Sequence, residues 1–207
     1  MPRIFAIAAA FVILSLLAIT AWLGGWRAPH SDVFAQCRQG QIAAGRSAIG
    51  GPLELVSEDG AAITDADLFR LPTLLYFGYT FCPDVCPLDA ARNAEAVDLL
   101  EQRGHLVQPA LITLDPERDT PEVLAEYTDY LHPRMIGLGG SPAQIKAAAM
   151  AYKVYYRKQD AEDEFYLVDH STFSYLVLPE AGFVEYFPRT LGAEQVADAV
   201  ACFLDRA

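Results

Sequence analysis

The amino end of the chain opens with an unbroken apolar run, Ile4 to Trp26, that contains no charged side chain. As a helix rising ~1.5 Å per residue it would extend ~35 Å, enough for a ~30 Å hydrocarbon layer. The run exceeds the apolar core of a cleaved signal peptide, no small-x-small cleavage site follows it, and Trp22 and Trp26 suit a membrane interface. A retained single-pass anchor over residues 1–26 is therefore expected. The following residues mix small, polar and glycine positions without sustained periodicity and read as a tether over 27–48, leaving a folded domain over 49–207. A single amino-terminal span before a large acidic domain exports that domain, which in a bacterium means an inner (cytoplasmic) membrane anchor and a periplasmic domain.

Within the domain, LELVSEDGAAIT predicts a hairpin around Glu58-Asp59-Gly60, and PTLLYFGYT, short and rich in aromatics, predicts a central buried strand. From Pro87 the period becomes helical, with Leu88, Ala91, Ala94, Val97 and Leu100 on one face. A second buried strand follows over Pro109 to Leu114, completing a strand-helix-strand crossover unit. Thr120-Pro121 opens a helix that stops near His132-Pro133, and Ser141-Pro142 opens another whose capping box is completed by Gln144. STFSYLVL, the turn PEAG and FVEYF predict an antiparallel hairpin, and AEQVADAVACFL a closing amphipathic helix. This order predicts an α/β fold with a mixed sheet, and neither a repeat nor a low-complexity tract divides it.

Composition narrows the function classes. Apolar residues make up 53% of the 207 positions, so a real core is expected. A formal net charge of -12 repels nucleic acid and anionic lipid head groups, and no basic stripe offsets it.

The candidate chemistry lies in YFGYTFCPDVCPLD, Tyr76 to Asp89, where Cys82 and Cys86 are each followed by proline directly after the buried strand. Proline after a cysteine disfavours helical geometry there, so the helix is expected to start at Pro87 with Cys86 near its N-cap and Cys82 in a tight loop before it. Both sulfurs then sit at the positive end of a helix macrodipole, which favours thiolate. Three readings compete. A structural disulfide would close a very short loop and add little stability. A thiol-disulfide oxidoreductase fits the location, although the familiar redox motif has one residue fewer between the sulfurs. A metal site would use the same thiolates, which with one imidazole suit copper, or zinc with a water.

Four histidines could supply that imidazole. His30 lies in the tether, His105 follows a helix-ending glycine, and His132 sits at a helix C-terminus that welcomes a cation. His170, in YLVDHSTFSYLV with Asp169 beside it, has no capping role and reads either as a satisfied core histidine or as the ligand.

The blocks YFGYTFCPDVCP, LDPERDTPEVL, HPRMIGL, AYKVYY and YLVDHSTFSYLV, in this order, resemble the Sco (SenC-type) proteins over about Ile49 to Phe187. The resemblance implies a thioredoxin-like mixed sheet flanked by helices on one N-terminal transmembrane helix. It also implies that Cys82, Cys86 and His170 bind copper, as Cu(I) or Cu(II), for delivery to the binuclear copper site of a cytochrome c oxidase subunit. A periplasmic copper chaperone or a thiol-disulfide oxidoreductase would be the further partner. Asp115, the first aspartate of TLDPERDTP, is carried over as a residue near the cysteines that influences their chemistry without binding the metal. Asp169 is expected to orient His170. Asp119, Thr120 and Pro121 read as turn and helix cap, and Tyr76 and Tyr79 as core and rim aromatics. The acidic DAEDE, Asp160 to Glu164, reads as a solvated loop able to steer a cation.

Cys37 and Cys202 lie outside these motifs. An oxidising compartment disfavours free thiols, and pairing these two would tie the tether to the last helix while leaving Cys82 and Cys86 free for function. A Cys37–Cys202 disulfide is expected, and a Cys82–Cys86 disulfide when that pair is oxidised and metal-free. The alternative is a buried thiol at Cys202 with Cys37 unpaired or intermolecular. The function expected is that of a metallochaperone. The rival is a thiol-disulfide reductase keeping the oxidase copper cysteines or a chaperone reduced, with sulfenate-based redox sensing behind it.

Overall fold

The computed structural model describes residues 11–20, 22, 32–38, 48–160 and 165–207. It divides into two compact units, residues 1–33 and residues 34–207. In the first, residues 11–20 are helical with exposed side chains, and the rest of the segment expected to be an anchor lies outside the described residues. Among the described residues no helix is long and apolar enough to cross a membrane.

The second unit is built on a seven-stranded sheet in the order β2-β1-β5-β4-β3-β8-β9. β1 (Glu54–Ser57) and β2 (Ala62–Thr64) form the hairpin about Gly60, and a short helix α1 (Asp65–Leu68) follows under a Thr64–Asp67 capping box. β3 (Thr73–Gly78) is buried along its whole length and pairs in parallel with β4 (Gln108–Thr113), which pairs in parallel with β5 (Ile136–Gly139). The connecting helices are α2 (Val85–Gln102), α3 (Pro121–Leu131) and α4 (Pro142–Ala151). β8 (Phe173–Leu178) lies antiparallel to β3 and to β9 (Gly182–Pro188), and α5 (Ala193–Leu204) closes the chain. The remaining strands, β6 (Tyr156–Lys158) and β7 (Val168–His170), form a separate two-stranded ribbon.

The sheet carries a core on each face, because successive strand residues point to opposite sides. Leu74 of β3 joins Val97, Leu100, Leu176, Val196, Val200 and Phe203, whereas Leu75 and Phe77 join Ile112, Leu138, Ile145, Tyr152 and Tyr175. Each fully buried aliphatic or aromatic side chain contributes ~1.5 to 3 kcal/mol, so both faces are firmly held. Part of the stretch expected to be a tether is folded: Phe34 and Cys37 are buried in the first of these cores, with the Phe34 ring 5.5 Å from that of Phe203. Cys37 and Cys202 are joined by a disulfide, with 5.6 Å between their α-carbons.

Two local expectations are corrected. α2 begins at Val85, two residues before Pro87, because the first-turn N–H that proline lacks has no intrahelical partner anyway, and the carbonyl four residues back lies outside the helix. The buried face of α2 is also rotated. Leu88 is exposed, while Asp89 and Asn93 are buried, since the Tyr76 hydroxyl donates to Asp89 (3.2 Å) and the Asn93 amide donates to Ser174 (2.8 Å). Hydrogen bonding makes that polar burial tolerable.

Candidate metal centre

Because β3 and β4 run parallel in register, with Gly78 opposite Thr113, the loops leaving their carboxyl ends emerge side by side. The loop after β3 carries Cys82, and Cys86 follows in the first turn of α2. Gly78 is required here by close approach: a Cβ at this position would lie 2.8 Å from the Tyr76 ring and 3.3 Å from Cys86 Sγ. The segment leading into β8 has an equally direct route to the site, because β8 pairs with β3 and His170, at the end of β7, stands just before it.

Cys82 and Cys86 are both free thiols and both buried. Cys86 Sγ lies 3.2 Å from His170 Nε2, and the Cys86 backbone N–H donates to Cys82 Sγ at 3.4 Å. One donor atom from each of the three side chains lies within 4.8 Å of the others. His170 Nδ1 lies 2.8 Å from the Ser171 carbonyl oxygen, which can only accept, so Nδ1 carries a proton and Nε2 is the nitrogen turned to the sulfurs. Tyr76 and Tyr79 hold the imidazole edge-on, with ring centroids 6.3 and 5.9 Å away.

The two sulfurs differ electrostatically. Cys82 is held far below the usual thiol range, down to about 3, first by a hydrogen bond from Cys86 and then by His170 and the N–H groups of Asp84 and Cys86, against burial. Cys86, the donor in that pair and the more deeply buried, is pushed up by the Cys82 contact and by desolvation. These surroundings therefore favour a Cys82 thiolate beside a Cys86 thiol. An open pocket of about 360 Å3, lined by Cys82, Asp84, Leu167, His170 and Thr172 among others, gives access from solvent.

The neighbouring acidic residues have partners of their own. Asp169 does not orient His170. Its carboxylate accepts from Gln159 at 2.6 Å and Arg157 at 3.4 Å, and the imidazole is oriented by Ser171 instead. Adjacent residues of one strand project to opposite faces, which separates the two side chains. Asp115 is buried and bonds the Tyr166 hydroxyl at 2.7 Å and Arg118 Nε at 2.5 Å. Asp119, read from sequence as part of a turn, is 3% exposed and pins the cysteine loop: it accepts from the Thr80 N–H at 3.0 Å and from the Thr80 and Thr113 hydroxyls at 2.5 Å each. Thr120 caps α3, as its sequence context predicts. Of DAEDE, residues 161–164 lie outside the described residues. His105 and His132 are occupied elsewhere, by Asp205 and Asp98.

Comparison with known proteins places this geometry. The SCO1/SenC family model matches residues 42–205. The chain belongs to the SCO1/SenC family. It is similar to protein SenC of Rhodobacter capsulatus, 53% identical over 86% of this chain and 80% of that one. It is also similar to the mitochondrial SCO1 homolog 1 of Arabidopsis thaliana, 45% identical over 76% of this chain and 47% of the longer relative. Among solved structures, Arabidopsis ScoI with copper bound superposes with a TM-score of 0.73 at 42% identity, covering 77% of this chain and all of that one (100%). Yeast Sco1 with copper bound gives 0.72 at 34% identity, over 77% of this chain and 90% of that one. The mixed sheet and flanking helices are thus the thioredoxin-like fold of the SCO1/SenC proteins, and within it a CxxxC motif and a distant histidine of this chain meet at Cys82, Cys86 and His170.

Proposed function

We propose that this SCO1/SenC protein is a copper metallochaperone in cytochrome c oxidase assembly, holding one copper ion through Cys82 Sγ, Cys86 Sγ and His170 Nε2. The observation that carries the reading is the convergence of these three donors within 4.8 Å, with the imidazole proton already committed to Ser171 on the far nitrogen. Two soft sulfurs and one imidazole match the preferences of copper. Relatives bound to copper on the same fold support the choice of metal. The Cys82 thiolate would engage the ion first, and the Cys86 proton would leave as the second thiolate forms. Release to the oxidase subunit would proceed by ligand exchange, since a three-ligand site leaves room for an incoming donor. Cys82, the less deeply buried sulfur, is the ligand an acceptor would replace first.

The arrangement in the cell follows from the same reading. Residues 1–26 anchor the chain in the inner membrane, 27–48 form the tether, and 49–207 act in the periplasm, where a copper donor or a disulfide reductase would reload or reduce the site. The Phe34–Cys37 turn and its disulfide fasten part of the tether to the domain.

The asymmetry of the two thiols favours a second reading, a thiol-disulfide reductase in which Cys82 attacks a partner disulfide and Cys86 resolves the mixed disulfide. Copper titration separates the two. The reduced protein is expected to bind one tight equivalent with sulfur-to-copper charge transfer, and His170→Ala to lose that tightness. Weak, histidine-independent binding would leave the reductase as the function.

A further inference from the structure

Among the described residues, the ribbon that carries His170 makes no strand pairing with the main sheet, so beyond its short link to β8 other contacts must fix its distance from the cysteines. Beside the ribbon lies a cleft of about 140 Å3, lined in part by Leu114, Ile145, Tyr156 and Val168. Besides the burial of Val168 in the core and the contacts of His170 itself, three polar or charged contacts hold the ribbon down. The Val168 N–H donates to the Tyr79 hydroxyl at 3.2 Å, and Lys158 pairs with Glu117 at 2.8 Å. The ion pair is largely solvent-exposed and constrains little. The third contact centres on a buried ring. The Tyr166 ring lies between two cations, with the Arg118 guanidinium carbon 3.6 Å and Lys158 Nζ 3.7 Å from its centroid, and its hydroxyl donates to Asp115.

The same guanidinium extends the stack to the other side of the site. Arg118 Nε donates to Asp115 at 2.5 Å, and its planar end lies 4.7 Å from the centroid of Phe81, the residue before Cys82. A continuous series, Lys158, Tyr166, Arg118 and Phe81, therefore joins the ribbon of His170 to the loop of Cys82. Cation–π contacts are strongest when desolvated, and Arg118 is largely shielded, with 14% of its side chain exposed.

We propose that Tyr166 and Arg118 are positioning residues of the metal centre: their stack sets the separation between His170 and the two sulfurs, and so the affinity of the site. The inference rests on the copper reading above, and it assigns neither residue to the metal. Loss of a partner that orients a ligand weakens metal binding by ~10- to 100-fold.

The test uses the full-length reduced protein in detergent micelles and competition for Cu(I) against a chromophoric chelator. Tyr166→Leu and Arg118→Leu are each measured with His170 present and in a His170→Ala background, with Arg118→Lys as the conservative control. With His170 present, each leucine variant is expected to bind at least about tenfold more weakly. In the His170→Ala background the further loss is expected to stay within about twofold, the scatter of independent sites. Arg118→Lys keeps the cation and should recover part of the affinity. Equal losses in both backgrounds, or no loss at all, would overturn the proposal. If the parent protein and His170→Ala bind copper equally, the three-ligand reading fails instead, and amide hydrogen exchange decides the stack on its own. Exchange at Val168 and Ser171 is then expected to quicken at least about tenfold in Arg118→Leu while core amides such as Phe77 keep their protection. Unchanged ribbon exchange would rule the stack out as a clamp.

Discussion

Asp119→Ala is expected to destabilise the folded domain by roughly 3 kcal/mol, whereas Asp119→Asn should cost about 1 kcal/mol or less. Asp119 accepts three hydrogen bonds in a nearly dry environment, two from hydroxyls and one from the Thr80 backbone N–H. Truncation to alanine strands that N–H, an obligate donor, at a cost of ~1 to 3 kcal/mol, and removes two bonds to a charged group besides. Burial of the carboxylate already offsets part of their value, which keeps the total near the stated figure. Asparagine has the same shape. Its carbonyl can face the N–H while its amide donates to Thr80, whose hydroxyl rotates to accept. Urea unfolding at neutral pH, read from midpoint shifts at constant slope, measures both variants. Burial raises the Asp119 carboxyl above its ordinary 3.8, ahead of the hydrogen bonds that lower it, so the folded state holds the proton more tightly than the unfolded one. The parent should therefore gain stability relative to Asp119→Asn as pH falls through the raised value, levelling off below 3.8. An alanine cost within about 0.5 kcal/mol, the value for an exposed turn residue, would refute the pinning role.

Iodoacetamide should modify Cys82 at least about tenfold faster than Cys86, at a rate nearly flat from about pH 5 to 8, because Cys82 is already a thiolate there; mass spectrometry of the labelled peptide checks both points. Cys37→Ser with Cys202→Ser opens a loop whose ends are 165 residues apart, for which the chain-entropy model gives a loss of about 5 kcal/mol, an upper figure read by guanidinium unfolding against the parent. Gly78→Ala forces a Cβ onto the Tyr76 ring and Cys86 Sγ, so it should cost about 1 to 3 kcal/mol and displace Cys86, seen as lower thermal stability with altered copper charge transfer.

Legibility in the sequence followed the range of the interactions. Helices α3 and α4 could be read because their start signals are local: Thr120 and Ser141 each cap the helix with a proline next in line. The metal triad could be assembled only through the family resemblance, since His170 lies 84 residues from Cys86 and spacing alone cannot bring them together. β5 went unread because it is short and carries Gly137 and Gly139, and the ribbon strands are three residues each, too short to show a period. Asp119 looked like a cap residue because its local setting is a cap; its burial depends on Thr80, 39 positions away. Asp169 illustrates the opposite error, since closeness in sequence to His170 places the two side chains on opposite faces of one strand. The polar face of α2 was hidden for a related reason. Asp89 and Asn93 are buried because Tyr76 and Ser174 receive them, and neither partner is visible from helical periodicity.

The central claim is that Cys82, Cys86 and His170 together hold copper. X-ray absorption at the copper edge, on protein loaded with one equivalent and beside the His170→Ala variant, tests it most directly. Two sulfur scatterers at ~2.2 to 2.3 Å with one imidazole nitrogen at ~2.0 Å, the imidazole signature vanishing in the variant, is the result this account predicts. A spectrum with sulfur alone, or one unchanged by His170→Ala, would contradict it.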